Sequence, residues 1–210
     1  MAYVLGLIFA DGAIEDVRKS SRTCYLAISN NDKSLLEQVR NALHSEHKIY
    51  YRKPRIVKFS DGKSYRCAES FILRIGNKGI YKNLLSLGLV PRKSLIVQFP
   101  EIPDAYFNYF VRGYFDGDGC LMVNIPKGQK AERITVIFTS GSKVFLDDLS
   151  TKLHFLIDTN YKRLYKNGGA YQLSYRKMDS LKILHFMYDH LNQAPYLERK
   201  YNLFRNIKSL

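Results

Sequence analysis

No stretch of this sequence approaches twenty consecutive apolar residues, so nothing in it is built as a membrane-spanning helix. The start lacks the basic, apolar and small-residue succession of a secretory signal. Cysteine is scarce: Cys24, Cys67 and Cys120 are odd in number and show no CxxC spacing. That usage points to a reduced, intracellular setting and argues against structural zinc. There is no P-loop, no GxGxxG, and no serine or cysteine matched with a histidine in a nucleophile pattern. Acidic residues are the minority, 19 Asp and Glu against 33 Lys and Arg, which leaves a net charge of +14. Such an excess favours a polyanionic partner, either nucleic acid or an acidic membrane surface. The membrane reading is the weaker one, because the cations fall on strands rather than on an amphipathic helix. What remains is ordinary: 210 residues, 46% hydrophobic, enough for a core in one large domain or two small ones.

The organising stretch is 103-PDAYFNYFVRGYFDGDGCLMV-123. Asp104 is placed to cap a helix over Ala105 to Phe115. Ala105, Gly113 and Gly117 fall on one four-residue stripe, interrupted by Tyr109, which lets a second helix backbone come close. The helix delivers Asp116 and Asp118, and Gly119 turns the chain into an apolar strand. The chain opens with the same device, 2-AYVLGLIFADGAI-14. Gly6 recurs as Gly113, Ala10 as Gly117, Asp11 as Asp118 and Gly12 as Gly119, at a constant offset of 107 residues. Two close-packed helices ending this way set two carboxylates at a common foot. Carboxylates side by side repel one another unless a cation lies between them, and metal-bridging carboxylates suit phosphodiester hydrolysis.

The elements around these helices repeat as well. After the first motif come a hairpin within residues 13–30, a helix at 33–46, a second hairpin from Lys48 to Ile75, and a helix near 78–89. Pro54 in that second hairpin predicts a bulge or an edge. After the second motif come strands near Cys120–Ile125 and Arg133–Thr139, and a helix near 142–155. Strands near Asp158–Tyr165 and Ala170–Arg176 follow, then helices at 180–191 and 196–210. Asp32-Lys33 matches Ser142-Lys143, Tyr81-Lys82 matches Leu181-Lys182, and Arg92-Lys93 matches Arg199-Lys200. The expected fold is α+β: two tandem αββαββα units related by a pseudo-twofold, each with an antiparallel four-stranded sheet. The expected boundaries are 1–92 for the first repeat, 93–103 for an extended linker and 104–210 for the second repeat.

Helices cover one face of each sheet, so the other meets solvent or a partner. The strands and turns are rich in cations and hydroxyls. In the first half these are Arg18, Lys19, Arg22, Lys48, Tyr50, Arg52, Lys53, Arg55, Lys58, Arg66 and Arg74. In the second they are Lys127, Lys130, Arg133, Lys162, Arg163, Lys166, Tyr171, Tyr175 and Arg176. Lys48, Tyr50 and Arg52 share one face by strand parity. Tyrosine and arginine serve base edges as well as phosphates, as a β-ribbon in the major groove requires. The set reads as a nucleic-acid saddle.

VLGLIFADG (Val4 to Gly12) and VRGYFDGDG (Val111 to Gly119) resemble the two signature helices of LAGLIDADG homing endonucleases. So do the flanks 88-GLVPRKSLIVQFPEIP-103 and YLERKY (Tyr196 to Tyr201), and the element order of both halves. The resemblance is to the single-chain, two-motif branch. It implies a monomeric, sequence-specific endonuclease for double-stranded DNA, cutting a long asymmetric site to leave short 3′ overhangs. It implies Asp11 and Asp118 as ligands of two or three divalent cations, Mg²⁺ in function, with Mn²⁺ or Ca²⁺ able to substitute for binding. It also implies a basic residue near each centre, for which Lys82 and Lys182 are the candidates, with Lys78 and Lys177 behind them. Phe9 stands where the second copy has Asp116, a departure that points to unequal halves. The alternative on the same fold is a protein that binds DNA without cutting it, or an intron RNA maturase with RNA as its partner.

Overall fold

The computed structural model describes residues 1–16, 24–58, 62, 64–128 and 131–207. Helix α1 (Ala2–Asp11) is almost wholly apolar and buried. It leads into strand β1 (Gly12–Ile14), then β2 (Tyr25–Asn30) and helix α2 (Lys33–Ala42). Leu35, Leu36 and Val39 keep the helical period of α2 and are buried. Strands β3 (Ile49–Arg52), β4 (Arg55–Lys58), β5 (Ser64–Cys67) and β6 (Ser70–Gly76) follow, with helix α3 (Lys78–Ser86) closing the first half. The second half runs α4 (Asp104–Asp118), β7 (Gly119–Asn124), β8 (Arg133–Ser140), α5 (Lys143–Ile157), β9 (Tyr165–Asn167), β10 (Ala170–Arg176), α6 (Met178–Tyr188) and α7 (Glu198–Arg205). One antiparallel sheet has the order β1-β2-β6-β3 and the other β7-β8-β10-β9; β4 and β5 form a separate two-stranded ribbon. The architecture is the α+β tandem arrangement expected, with the ribbon as an addition. Among the described residues, no helix is long and apolar enough to cross a membrane.

The halves are joined through α1 and α4, and glycine makes the junction. A Cβ on Gly6 would lie 2.1 Å from the Phe110 carbonyl oxygen, and one on Gly113 would lie 2.0 Å from that of Tyr3. Tyr3 and Phe110 are themselves repeat-equivalent, so the contact is symmetric. Only hydrogen fits at either position. Around this crossing Leu7, Phe107, Phe110, Phe115 and Phe145 have no exposed surface, and they form the core shared by both halves.

Several boundaries differ from the sequence reading. Asp104 is the first residue of α4 rather than its cap, with Pro103 at the N-cap and Lys152 ion-paired to Asp104 at 3.0 Å. The strand expected over Asp158–Tyr165 is confined to Tyr165–Asn167. The preceding segment is held to α6 instead: Asn160 Nδ2 donates to Asp179 at 3.1 Å, and Lys162 pairs with Asp179 at 2.7 Å. The linker contains a short 3-10 turn, Lys93–Leu95. Four of the proposed contact residues, Arg18, Lys19, Arg22 and Lys130, lie outside the described residues.

The two carboxylates of the second motif, two residues apart, do different work. Asp116 is fully buried and accepts from the Tyr3 hydroxyl at 2.7 Å and the Leu197 amide at 2.8 Å. Burial pushes its pKa up, against the pull of the Tyr3 hydroxyl and of Lys200. Arg112, also fully buried, donates to the Met187 carbonyl at 2.7 Å beside it. Asp116 therefore ties α1, α4 and the start of α7 together. The Tyr188 hydroxyl donates to its other oxygen at 3.4 Å, so asparagine at this position would keep one acceptor oxygen and turn an amide towards one of these donors, a loss of about 2 kcal/mol. The melting temperature should fall by roughly 5 °C in a thermal melt; no change would remove the tie.

Candidate active site

Asp11 and Asp118 end α1 and α4, the elements whose glycines hold the crossing closed. A Cβ on Gly117 would lie 2.5 Å from Ala10 Cβ and 3.3 Å from Asp11 Oδ2, so the Asp11 carboxylate rests against the last turn of α4. Asp118 is the next residue along. Packing of the helix ends pushes Asp118 up to about 6, first by desolvation and second by the charge of Asp11, although one side of Asp118 faces solvent. Asp11 is also raised, again chiefly by burial.

The two carboxylates are not equivalent. Asn30 Nδ2 donates to Asp11 Oδ2 at 2.8 Å, which favours the ionised form. The repeat-equivalent of Asn30 is Ser140, which serves instead to cap the turn before α5 by accepting from the Ser142 amide at 3.1 Å. Asn30 does both jobs, since its Oδ1 accepts from the Asp32 amide at 2.9 Å.

Two lysines stand at this centre. Lys93 Nζ donates to the Ala10 carbonyl at 2.7 Å, at the end of α1. Lys200 Nζ donates to the carbonyls of Phe115, of Gly119 at 2.6 Å and of Asp116 at 3.2 Å, at the end of α4. Each ammonium thus satisfies the bare carbonyls of a motif helix and sits at the negative end of its dipole. Burial is nonetheless the largest influence on both: it lowers Lys93, and it lowers Lys200 to about 8. Both are charge neighbours of Asp11 and Asp118. Lys200 has all three N–H groups engaged, whereas among the described residues Lys93 has one hydrogen-bond acceptor.

It is these lysines, and not the pair expected from the sequence, that stand at the motif helix ends. Lys82 is exposed on α3, and Lys182 donates to Asp158 Oδ2 at 3.2 Å on α6. Neither is among the charge neighbours of the aspartates. The physical reason is placement: α3 and α6 pack on the helical side of the sheets, while residues 93 and 200 return to the motif helix ends. The signal was present, because Lys93 and Lys200 are separated by the same 107 residues as the motifs.

The uncovered sheet faces flank this centre, and register decides which side chains they carry. In the first sheet, Tyr50, Arg52, Ile72 and Arg74 share the open face; Arg74 stacks on Tyr25 at 3.6 Å and pairs with Glu15 at 2.7 Å. Lys48, exposed just before β3, has the same parity. In the second sheet, Met122, Arg133, Thr135, Gln172, Ser174 and Arg176 share it. Several assignments change accordingly. Tyr175 is fully buried on the helical side, its hydroxyl donating to Ser150 Oγ at 3.2 Å, and Tyr171 has the same parity and packs on the core. Lys166 lies opposite Tyr171 and so also has the helical-side parity. Lys162 is committed to Asp179. Lys127 and Arg163 are exposed in loops outside the ladders. Met122, Thr135, Gln172 and Ser174 were missed because the sequence reading weighed cations over parity.

Fold and centre together define a pseudo-twofold protein whose halves share one acidic site. Residues 111–210 match the family model of LAGLIDADG endonucleases. The homing endonuclease I-WcaI bound to its DNA recognition sequence has a similar fold, with a TM-score of 0.62 at 16% identity, covering 96% of this chain and 84% of that one. Mesophilic variants of the homing endonuclease I-DmoI give a TM-score of 0.55 at 21% identity, covering 98% and 96%. I-SmaMI, bound to uncleaved DNA target in the presence of calcium ions, gives 0.56 at 12% identity, covering 97% and 87%. A stretch of Reverse gyrase from Methanocaldococcus jannaschii is 25% identical over 171 residues, which is 81% of this chain but 9% of that protein. The family match covers the second half of the chain, and the likeness of the whole chain to these homing endonucleases is one of fold.

Proposed function

We propose that this protein is a sequence-specific double-stranded DNA endonuclease, acting as a single chain on a long asymmetric site and leaving short 3′ overhangs. The observation that carries the reading is the meeting of Asp11 and Asp118 at the foot of α1 and α4, with a buried lysine at the end of each helix. The open sheet faces, with Tyr50, Arg52, Arg133 and Arg176 on them, support DNA rather than a small substrate.

Asp11 and Asp118 fit a divalent cation such as Mg²⁺. Their crowding is a charge conflict that a cation relieves, and no cluster of three His, Cys, Asp or Glu closes a site among the described residues. Magnesium typically takes one or two carboxylates and completes its shell with water and phosphate oxygens. When bound, it supplies activation of water and stabilisation of the leaving oxygen. The protein does the rest by placement. Asn30 fixes the orientation of Asp11, and the Gly6–Gly113 crossing fixes the distance between the carboxylates. Lys93 has N–H groups to offer a phosphate, and Lys200 keeps a positive charge against the second site without a free donor. The two strands therefore meet unlike centres, as suits an asymmetric site.

The test is cleavage selection from a randomised duplex library by the wild-type protein in Mg²⁺, with EDTA as the control. A defined cut with 3′ overhangs, absent in EDTA, is the expected result. Selective duplex binding with no cutting would leave a binder that has lost its chemistry. Binding to structured RNA alone would move the reading to a maturase.

A further inference from the structure

The second hairpin of the first half does not end where its counterpart ends. At the end of β2, Asn30 reaches Asp11, and Asn30 lies level with Phe71 and Tyr51 on β6 and β3. In the second half, Ser140 is the matching position, level with Tyr171, and the β9–β10 hairpin turns one residue further on, at Gly168-Gly169. The first-half hairpin instead runs on past that level through β4 and β5. Both of its ladders are in one register: Arg52 faces Ser70, and three residues along each strand Arg55 faces Cys67. The break at Lys53-Pro54 is thus the loss of a proline donor and not a slip. Parity carries through it. Arg66, Ile56, Lys58 and Ser64 continue the open face of Arg52, while Lys53, Arg55, Val57 and Tyr65 lie on the other side.

We infer that the ribbon of β4 and β5 reaches past the line of the two aspartates and reads base pairs at the centre of the DNA site. The inference rests on the DNA reading above. The seven residue steps from Tyr51 to Lys58 extend about 24 Å at strand rise, the length of about seven base pairs. Among the described residues the second half has no matching arm, so the centre of the site is read from one half. Charge and continuity both favour duplex DNA as the occupant. The open-side residues Arg52, Lys58 and Arg66 are exposed cations, and Glu69, on the opposite parity, accepts from the Tyr51 hydroxyl at 2.9 Å. Ile56 is 70% exposed and stands directly across from Arg66. An aliphatic side chain held between cations suits a thymine methyl group in the major groove, with Arg66 free for a guanine edge or a phosphate.

The experiment places a photo-crosslinking amino acid at position 56 in the full chain, in an Asp118→Asn background to keep the duplex whole. Irradiation with the duplex selected by the wild-type protein should crosslink bases within about seven pairs of the cut positions. Ile56→Asp should weaken binding to that duplex about tenfold, the scale of one lost base contact, and flatten base preference at the centre only. The melting temperature should stay unchanged, because Ile56 packs on nothing that its loss would expose. Crosslinks confined to the outer ends of the site, or none while the duplex stays bound, would overturn the ribbon's role and leave the DNA reading standing. Failure of the wild-type protein to bind any duplex selectively would overturn both.

Discussion

Placing a methyl group on Gly113 is expected to lower the melting temperature by about 10 °C and to abolish any activity that needs both aspartates. The alanine Cβ would sit 2.0 Å from the Tyr3 carbonyl oxygen, about half the distance of an ordinary contact. The opposing atom is backbone within a helix, so no rotamer change relieves the clash. The helices must part, and the aromatic core around Phe107 and Phe110 opens with them. Overpacking against movable side chains costs about 1–3 kcal/mol. Against fixed backbone the upper figure is the relevant one, and roughly 2–4 °C of melting temperature accompanies each kcal/mol in a chain of this size. Gly169→Ala is the control, since nothing lies within 4 Å of a Cβ there and its φ is not positive. A Gly113→Ala protein melting within about 2 °C of wild type would mean that the crossing is not held by close approach.

Asp118→Asn should do the opposite to stability while removing the chemistry. On the function proposed above Asp118 is a metal ligand whose loss removes several kcal/mol of transition-state stabilisation, so cutting of the selected duplex should fall about 10³-fold or more. Binding of the duplex should survive, because the open sheet faces are untouched. In EDTA the variant should melt about 2–4 °C higher than wild type, reflecting about 1 kcal/mol once solvent screening at the exposed side of Asp118 is allowed for.

The sign follows from the acid constant. Asp118 is raised from 3.8 to about 6, so the folded state prefers its protonated form. The stability linked to that proton is complete below about pH 4 and is lost as pH rises through about 6. Wild type in EDTA should therefore gain on the asparagine variant as pH falls from 7 to 5. Equal melting curves at both pH values would show that the carboxylates do not crowd one another. Cutting within tenfold of wild type would remove Asp118 as a ligand.

Much of this architecture is legible in the sequence, for reasons that act locally. The four-residue spacing of small side chains, the Asp-Gly endings and the constant offset of 107 residues specify two close-packed helices and a shared acidic foot without reference to any distant contact. The 3.6-residue period of Leu35, Leu36 and Val39 and the turn at Gly168-Gly169 likewise depend on neighbours in the chain.

Other features depend on where distant segments meet, and only the tertiary structure decided them. Asp116 and Asp118 are two residues apart in one motif, yet one is sealed beneath Tyr3, Leu197 and Tyr188 while the other faces outward. Lys93 and Lys182 are equally basic by composition, but only the first returns to a motif helix end. Tyr175 and Arg176 are adjacent on a strand and point to opposite sides, so burial claims the first and leaves the second on the open face. Residue type and spacing fixed what the centre is made of. The desolvation and register that turn a tyrosine into core and a linker lysine into part of the site exist only once the two halves pack.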